Sequence, residues 1–572
     1  MDIQRVLILV GLAATAYLLV LAWNEDYASD ESVPTVLSDT GNGMAEVPLG
    51  SSPQETNLIP QVPVSPSNES RPASNGSDVP ELTLTQRDID QPAVQRSGRY
   101  IEVRTDVLEV TIDLNGGDIV AANLLAFPQS IDSELPFILI DPRNEYAAQS
   151  GLIGPNGIDG GASRAQYRTN QVFYELTGES LEVSLQATGS DPSVAIEKRF
   201  VFRRGDYLMD MSYYIDNQST ELWQGAIYAQ LKRDGRDALM SDDVGIGMQS
   251  YTGGATFQSD TPYHKLSFGD LDDERYQSEE TGGYMAMVQH YFLSAWVPDQ
   301  TTQASYYARR KSGGDVYLFG LTLPLQQVLP GESSSQGVSL YVGPKDQYRL
   351  QDIAEGLDLT VDYGFLWWLA QPLFFLLYMI HGVVQNWGVA IILLTATVKL
   401  LLYPLSAAGF RSMAKLKRLQ PQMTRLKERH GDDRQKFTEE MMALYRKEGA
   451  DPIRGCLPLL LQMPVFLALF WTLMESVELR QAPFVGWITD LSAIDPYFVL
   501  PILMGISMYI TTALQPEPPD PMQAKIFKIM PVMFTFFFLW FPAGLVLYWV
   551  VNNVLSILQQ WYVNRQLEKE SQ

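Results

Sequence analysis

Lys399 is the residue from which a chemical reading of this chain starts. It stands in the run Asn386–Leu405, NWGVAIILLTATVKLLLYPL, which is otherwise apolar but for Thr395, Thr397 and Tyr403. A run of this length and character reads as a membrane-spanning helix, and a lysine at mid-membrane depth costs about 2.5–3.5 kcal/mol. Other apolar runs carry polar residues at four-residue spacing. Ser507, Thr511 and Gln515 form one such stripe; Tyr548, Asn552 and Ser556 form another, with Gln559 and Gln560 one turn on. Residues four apart share a helix face, and Gln462 adds an amide to a further run. No carboxylate lies inside these runs; Glu475, Asp490 and Asp495 are at or beyond the end of one of them. The expected arrangement is a wet cavity lined by Lys399, Thr395, Tyr403, Gln462, Ser507, Thr511, Tyr548, Asn552 and Ser556. Its unpaired cation would attract acidic or polar segments entering the membrane. Helix packing through small polar residues, and snorkelling of Lys399 to the inner edge, are the competing readings.

This is a binding chemistry rather than a bond-breaking one. The spans hold neither histidine nor carboxylate, so neither a Ser-His nor an aspartyl protease can be assembled there, and no catalytic residue is assigned. The chain has no Walker-type phosphate loop. Four scattered histidines (His264, His290, His381, His430) make no metal site, and no cofactor is expected. Cys456 is the only cysteine, which precludes an intrachain disulfide. A formal net charge of -25 and a pI near 4.6 argue against direct DNA binding.

The elements that must position the lysine follow from the chain in order. Its 572 residues are too many for one ordinary domain. A mean hydropathy of -0.05 averages a polar first part with an apolar second part. Residues 1–23 are apolar from Val6 to Trp23 and read as an uncleaved transmembrane anchor. Arg5 before it and Glu25, Asp26, Asp30 and Glu31 after it place the N-terminus in the cytoplasm. Residues 24–95, rich in Ser, Pro, Asn, Gly and acids, read as a disordered acidic linker. Residues 96–345 change to period two. Leu108, Val110, Ile112 and Leu114 alternate with Glu109, Thr111 and Asp113, and similar runs recur at 181–185, 194–202, 209–215, 291–296 and 316–323. They predict one large antiparallel β-sandwich. Residues 346–385 read as a linker and an aromatic amphipathic helix in the outer interface, because Gln371-Pro372 interrupts the apolar run.

The second span is assigned to 386–410. Between Arg411 and Arg454 there are twelve Lys/Arg against seven Asp/Glu, so this stretch is cytoplasmic by the positive-inside rule. One crossing between an outer β domain and an inner loop then suffices, with 364–385 lying flat. Met413, Leu416, Leu419, Met423 and Leu426, then Phe437, Met441 and Leu444, step by three and four. They predict a helical hairpin over 411–455 with an inward apolar seam, kinked at Pro421. Residues 456–564 hold spans three to six, at 457–474, 498–514, 526–541 and 545–558, which leave a short cytoplasmic tail at 565–572. The fifth span gives about 24 Å, shorter than the usual hydrocarbon core, and points to a locally thinned bilayer.

Four segments carry a resemblance: TATVKLLLYPLSAAGFRSMAKLKRLQPQ, GCLPLLLQMPVFLALF, SVELRQAPF and FFLWFPAGLVLYWVVNN. They are similar to the YidC/Oxa family of membrane-protein insertases, in the Gram-negative form with a large periplasmic domain, and the likeness covers the whole chain. The resemblance implies a six-span α-helical membrane bundle plus a periplasmic antiparallel β-supersandwich resembling sugar mutarotases, in the bacterial inner membrane, with both termini cytoplasmic and residues 24–385 periplasmic. It implies an insertase and folding chaperone that binds nascent membrane proteins in a groove and releases them laterally into the lipid bilayer. It further implies the Sec translocon, ribosome–nascent chain complexes and targeting machinery as partners. The hairpin residues Met413, Lys415, Lys417, Arg418, Met423 and Arg425 would recruit them. The family's groove cation is arginine; here the matching position is Lys399, which keeps the charge and loses the bidentate fork. A membrane-anchored periplasmic carbohydrate-active or sugar-binding protein and a small-solute transporter are the alternatives. Sugar epimerisation and selective conductance are the assays that distinguish them.

Overall fold

Alternating side chains build the first half of the protein as two packed sheets. In the computed structural model, residues 98–159, 164–188, 191–236, 250–430, 433–449, 452–516 and 521–570 are described. The anchor at 1–23 and the linker at 24–95 therefore lie outside the described residues. The strand Val194–Arg203 buries every second residue, as period two demands. Among the described residues one sheet has eleven strands and the other nine. In the first, the strand Trp223–Asp234 pairs antiparallel with Ala147–Ile153 and Val316–Thr322. In the second, Glu332–Pro344 pairs antiparallel with Leu208–Asn217 and Phe292–Val297. Tyr100–Arg104 with Phe173–Glu175 is a parallel pair at one sheet edge. Apolar residues of both sheets meet in one core, which includes Val110, Ile196, Phe200, Leu231, Phe319 and Leu340.

That core contains charge. Arg164 donates to Asp118 at 2.7 Å and to Asp159 at 3.1 Å. The fully buried Lys198 donates to the carbonyls of Gly117 (2.7 Å), Gly116 (3.1 Å) and Ser150 (3.2 Å). The rings of Phe200, Tyr213 and Tyr167 surround its amine at 5.5–5.8 Å. Gly116 and Gly117 have φ of 93° and 61°, and side chains there would run into Arg164 and Lys198. Burial pulls Lys198 down to about 7 against the opposing attraction of Asp118.

The helices follow in order: α1 Phe268–Asp273, α2 Gln347–Ile353, α3 Trp367–Val384, α4 Trp387–Leu401, α5 Tyr403–His430, α6 Arg434–Glu448, α7 Pro452–Glu475, α8 Val499–Leu514, α9 Pro521–Phe537 and α10 Ala543–Glu570. With the turn before it, α3 forms a 21-residue segment, Gly364–Val384, that is long and apolar enough to cross a membrane. Its two ends have definite neighbours. Gly364 approaches Trp471 near the end of α7, while His381 stacks on Trp387, the first residue of α4, at 3.8 Å. Midway, Phe374 and Tyr378 meet Tyr348 of α2. Asn386 caps α4 by accepting from the N–H of Val389.

The expected single span over 386–405 is broken. α4 stops at Leu401, and α5 leaves it at 69°. Pro404 is the reason: it has no N–H to continue the ladder, and it disfavours helical geometry at Tyr403 unless a new helix begins there. α5 then runs without interruption through Pro421. Asp433 caps α6 by accepting from the N–H of Lys436. Leu416, Leu419, Met423, Met441 and Tyr445 close the seam between α5 and α6.

α8 packs on α9 and α10. At Gly505 of α8 an added Cβ would lie 1.9 Å from Thr535 Oγ1. Gly505→Ala should therefore lower stability by about 1–3 kcal/mol, and Thr535→Ala should recover most of the loss. Thermal unfolding in detergent checks both variants; a Gly505→Ala protein as stable as the parent would refute the close approach.

Candidate functional site

Four helices converge on Lys399. α4 brings Thr395, Val398 and Lys399; α5 brings Ser406; α7 brings Gln462 and Val465; α10 brings Tyr548 and Asn552. With Leu402 they line a cavity of about 20 Å³, room for roughly one water. Thr395, Tyr548 and Asn552 are buried, and Lys399 is only 8% exposed.

The lysine is not unpartnered. Its amine donates to Ser556 Oγ at 2.6 Å and reaches Gln462 Oε1 at 3.4 Å. The Gln462 amide donates to Asn552 Oδ1. Ser556 donates onward to the Asn552 carbonyl at 2.7 Å, as a helical serine does four residues back. Gln559 donates to the Lys399 carbonyl at 3.4 Å. Thr395 spends its hydroxyl on the Ile391 carbonyl, 2.6 Å away. The two side chains that hold the amine among the described residues are neutral, so they hydrogen-bond the cation without neutralising it.

Six of the nine predicted groove residues therefore meet: Lys399, Thr395, Gln462, Tyr548, Asn552 and Ser556. Three do not. Ser507 faces the other side of α10, where Asn553 donates to its hydroxyl at 3.0 Å, and Thr511 bonds back to the Ser507 carbonyl at 2.9 Å. Both belong to the α8–α10 seam. Tyr403 follows the bend, so its four-residue step from Lys399 no longer puts it on the same face. Ser406 takes that place. Its spacing of seven from Lys399 is the sequence signal for it.

The hairpin residues divide in the same way. Lys415, Lys417, Arg418 and Arg425 are exposed, and Lys417 donates to the Leu514 carbonyl at the end of α8 at 3.3 Å. Met423 is buried in the hairpin's own seam, where Tyr445 donates to its sulfur at 3.2 Å, and Met413 packs against the same cluster. These two methionines build the hairpin and are not part of its exposed face.

On the side of the helices away from Lys399's end of α4, residues 476–498 cover the bundle. Val477 joins the β-domain core, while Leu479, Ala482, Ile488 and Leu491 join the helical one. Asp495 is buried and accepts from Trp487, Tyr497 and Leu500. Ala543 and Gly544 at the start of α10 donate to the Ala493 and Leu491 carbonyls. Residues 476–498 thus tie the β domain to the ends of α7 and α10.

Comparison with known proteins agrees in both halves. Residues 100–376 match the family described as YidC periplasmic domain, and 379–570 match the 60Kd inner membrane protein family. The membrane protein insertase YidC of Azotobacter vinelandii is 48% identical, with 100% of each chain covered. That of Stutzerimonas stutzeri is 46% identical, with 99% of each covered. A crystal structure of an active YidC insertase with its first transmembrane domain resolved is 19% identical, covers 82% of this chain and 93% of that one, and has a TM-score of 0.36. With nearly half of its residues shared with those insertases from end to end, the chain belongs to the YidC family of membrane protein insertases.

Proposed function

We propose that this inner-membrane insertase receives the polar part of a nascent membrane protein at Lys399 and releases the apolar part sideways into lipid. The observation that carries this reading is a buried amine whose side-chain partners among the described residues, Gln462 and Ser556, are both neutral. A site of this kind binds and lets go, in keeping with relatives that are insertases. Thr395, Tyr548 and Asn552 shape the same site, with Ser406 added from α5.

The topology we propose has six spans: residues 1–23, α4, α7, α8, α9 and α10. Gly364–Val384 lies flat across the outer surface. Its support is that both of its ends touch the outer ends of other helices, Trp471 of α7 at one and Trp387 of α4 at the other. A helix standing through the bilayer would have one end at the opposite side. The β domain and linker, 24–385, are then periplasmic, and both termini and the hairpin at 411–455 are cytoplasmic. The exposed Lys415, Arg418 and Arg425 offer a basic face to ribosome–nascent chain complexes and targeting factors, and the apolar outer faces of α8 and α9 offer one to lipid or to the Sec translocon.

Reconstitution tests the reading. Liposomes containing only the purified chain should insert a single-span protein with a short polar translocated segment, measured by protease protection, well above empty liposomes. Equal protection in both would remove the proposal.

A further inference from the structure

The β domain and α7 meet in a joint whose contacts are buried and specific. Lys345, at the end of the strand Glu332–Pro344, bridges Glu475, the last residue of α7, at 2.7 Å, and only 2% and 4% of these residues are exposed. Ser250 donates to the other Glu475 oxygen at 3.0 Å, and Lys345 also reaches the Thr360 carbonyl at 3.3 Å. His290 bonds the Met474 carbonyl at 2.9 Å. Just beyond, Arg480 donates to the Pro128 and Gln129 carbonyls (3.0 and 3.3 Å), and its guanidinium lies 5.4 Å from the rings of both Phe137 and Phe292. Val477 between them is part of the β-domain core.

Such a joint fixes how α7 is turned. Gln462 and Glu475 lie about 20 Å apart along the helix and about 220° apart around it. Holding Glu475 against the β domain therefore turns Gln462 toward α10 and Lys399. A slip of one residue would rotate Gln462 by about 100° and take its amide off Asn552.

We propose that Lys345, Glu475 and Arg480 are positioning residues, and that the periplasmic domain braces the outer end of α7 so that Gln462 stays in register with Lys399 and Asn552. The proposal rests on the groove reading above for its effect on insertion, but not for its effect on geometry. It gives the β domain a mechanical task that requires no ligand of its own.

The test uses the full chain with Cys456 replaced by serine. A cysteine pair, Gln462→Cys with Asn552→Cys, reports the register through its disulfide yield. Into this background go Lys345→Met, Glu475→Gln and the charge-exchanged pair Lys345→Glu/Glu475→Lys, and protease resistance of the β domain verifies folding. Either single change should lower the disulfide yield about fivefold, with the exchanged pair recovering much of it. In the Gln462/Asn552 parent, the same changes should lower insertion of a substrate with a polar translocated segment. A disulfide yield unchanged by the single variants in folded protein would overturn the brace. The groove reading fails separately, if Lys399→Ala inserts normally while the disulfide yield still responds to Lys345→Met.

Discussion

Lys399→Ala should reduce insertion of substrates with acidic or long polar translocated segments by about tenfold, equivalent to about 1.4 kcal/mol. The argument has two parts. Lys399 supplies the only formal charge among the described residues that line the cavity, and two charges 4 Å apart attract by about 4 kcal/mol at an effective dielectric constant of 20, before desolvation is subtracted. A net tenfold effect is a modest remainder. The variant should also fold. Removing the amine relieves a buried charge, and the Gln462–Asn552 and Ser556–Asn552 bonds that tie α7 to α10 and close the α10 turn do not need it. Loss of activity is then separable from loss of structure. Lys399→Arg should insert at nearly the parental level, because point-charge attraction is retained. Substrates whose translocated segment is short and uncharged should depend on the lysine least. Protease protection in proteoliposomes measures all three. Equal insertion of an acidic-segment substrate by parent and Lys399→Ala would show that the cation is dispensable.

What could be read before the structure was known depended on which faces of each element meet water. Strands with one dry face announce themselves: Leu108–Asp113 and Val194–Arg203 alternate in the sequence and in the fold. Trp223–Asp234 runs through the middle of a sheet and is buried almost throughout, so WQGAIYAQLKRD shows no period at all. In the membrane part, polar stripes marked the right helices but assumed straight ones. Pro404 carried the signal for the bend, hidden inside an apolar run. Ser507 looked equivalent to Asn552 because a stripe of small polar residues gives no sign of which neighbour it faces; only the packed structure separates the α8–α10 seam from the cavity. Lys198 is legible in the sequence as well. It occupies an inward position of VAIEKRFVFR, between Ile196 and Phe200, where a charge requires an explanation.

Lys198→Met should destabilise the β domain by about 1–3 kcal/mol, the usual result of leaving a buried polar group without its hydrogen-bond partner. The substitution fills similar volume, so packing is not the cause. It leaves the Gly117 carbonyl without its lysine donor, and it leaves two carboxylates, Asp118 and Asp159, facing Arg164. The Gly116 and Ser150 carbonyls keep Arg164 as a donor, which limits the loss. The pH dependence adds a second signature. Burial holds the Lys198 amine at about 7 in the folded protein, below its ordinary value of 10.5. Between those two values the unfolded chain binds a proton that the folded chain does not, so raising the pH favours the folded state. The parent should therefore gain stability relative to Lys198→Met as pH rises from 7 toward 10, by at most about 1.4 kcal/mol per unit. Below pH 7 both states of the parent carry the proton, and the difference between the two proteins should be flat. Hydrogen exchange of the strand Val194–Arg203 in the full-length protein, at pH 6.5 and 9, reads both effects after correction for the intrinsic rate. A difference that stays flat from pH 6.5 to 9 would mean that the three carbonyls and the aromatic cage keep the amine charged.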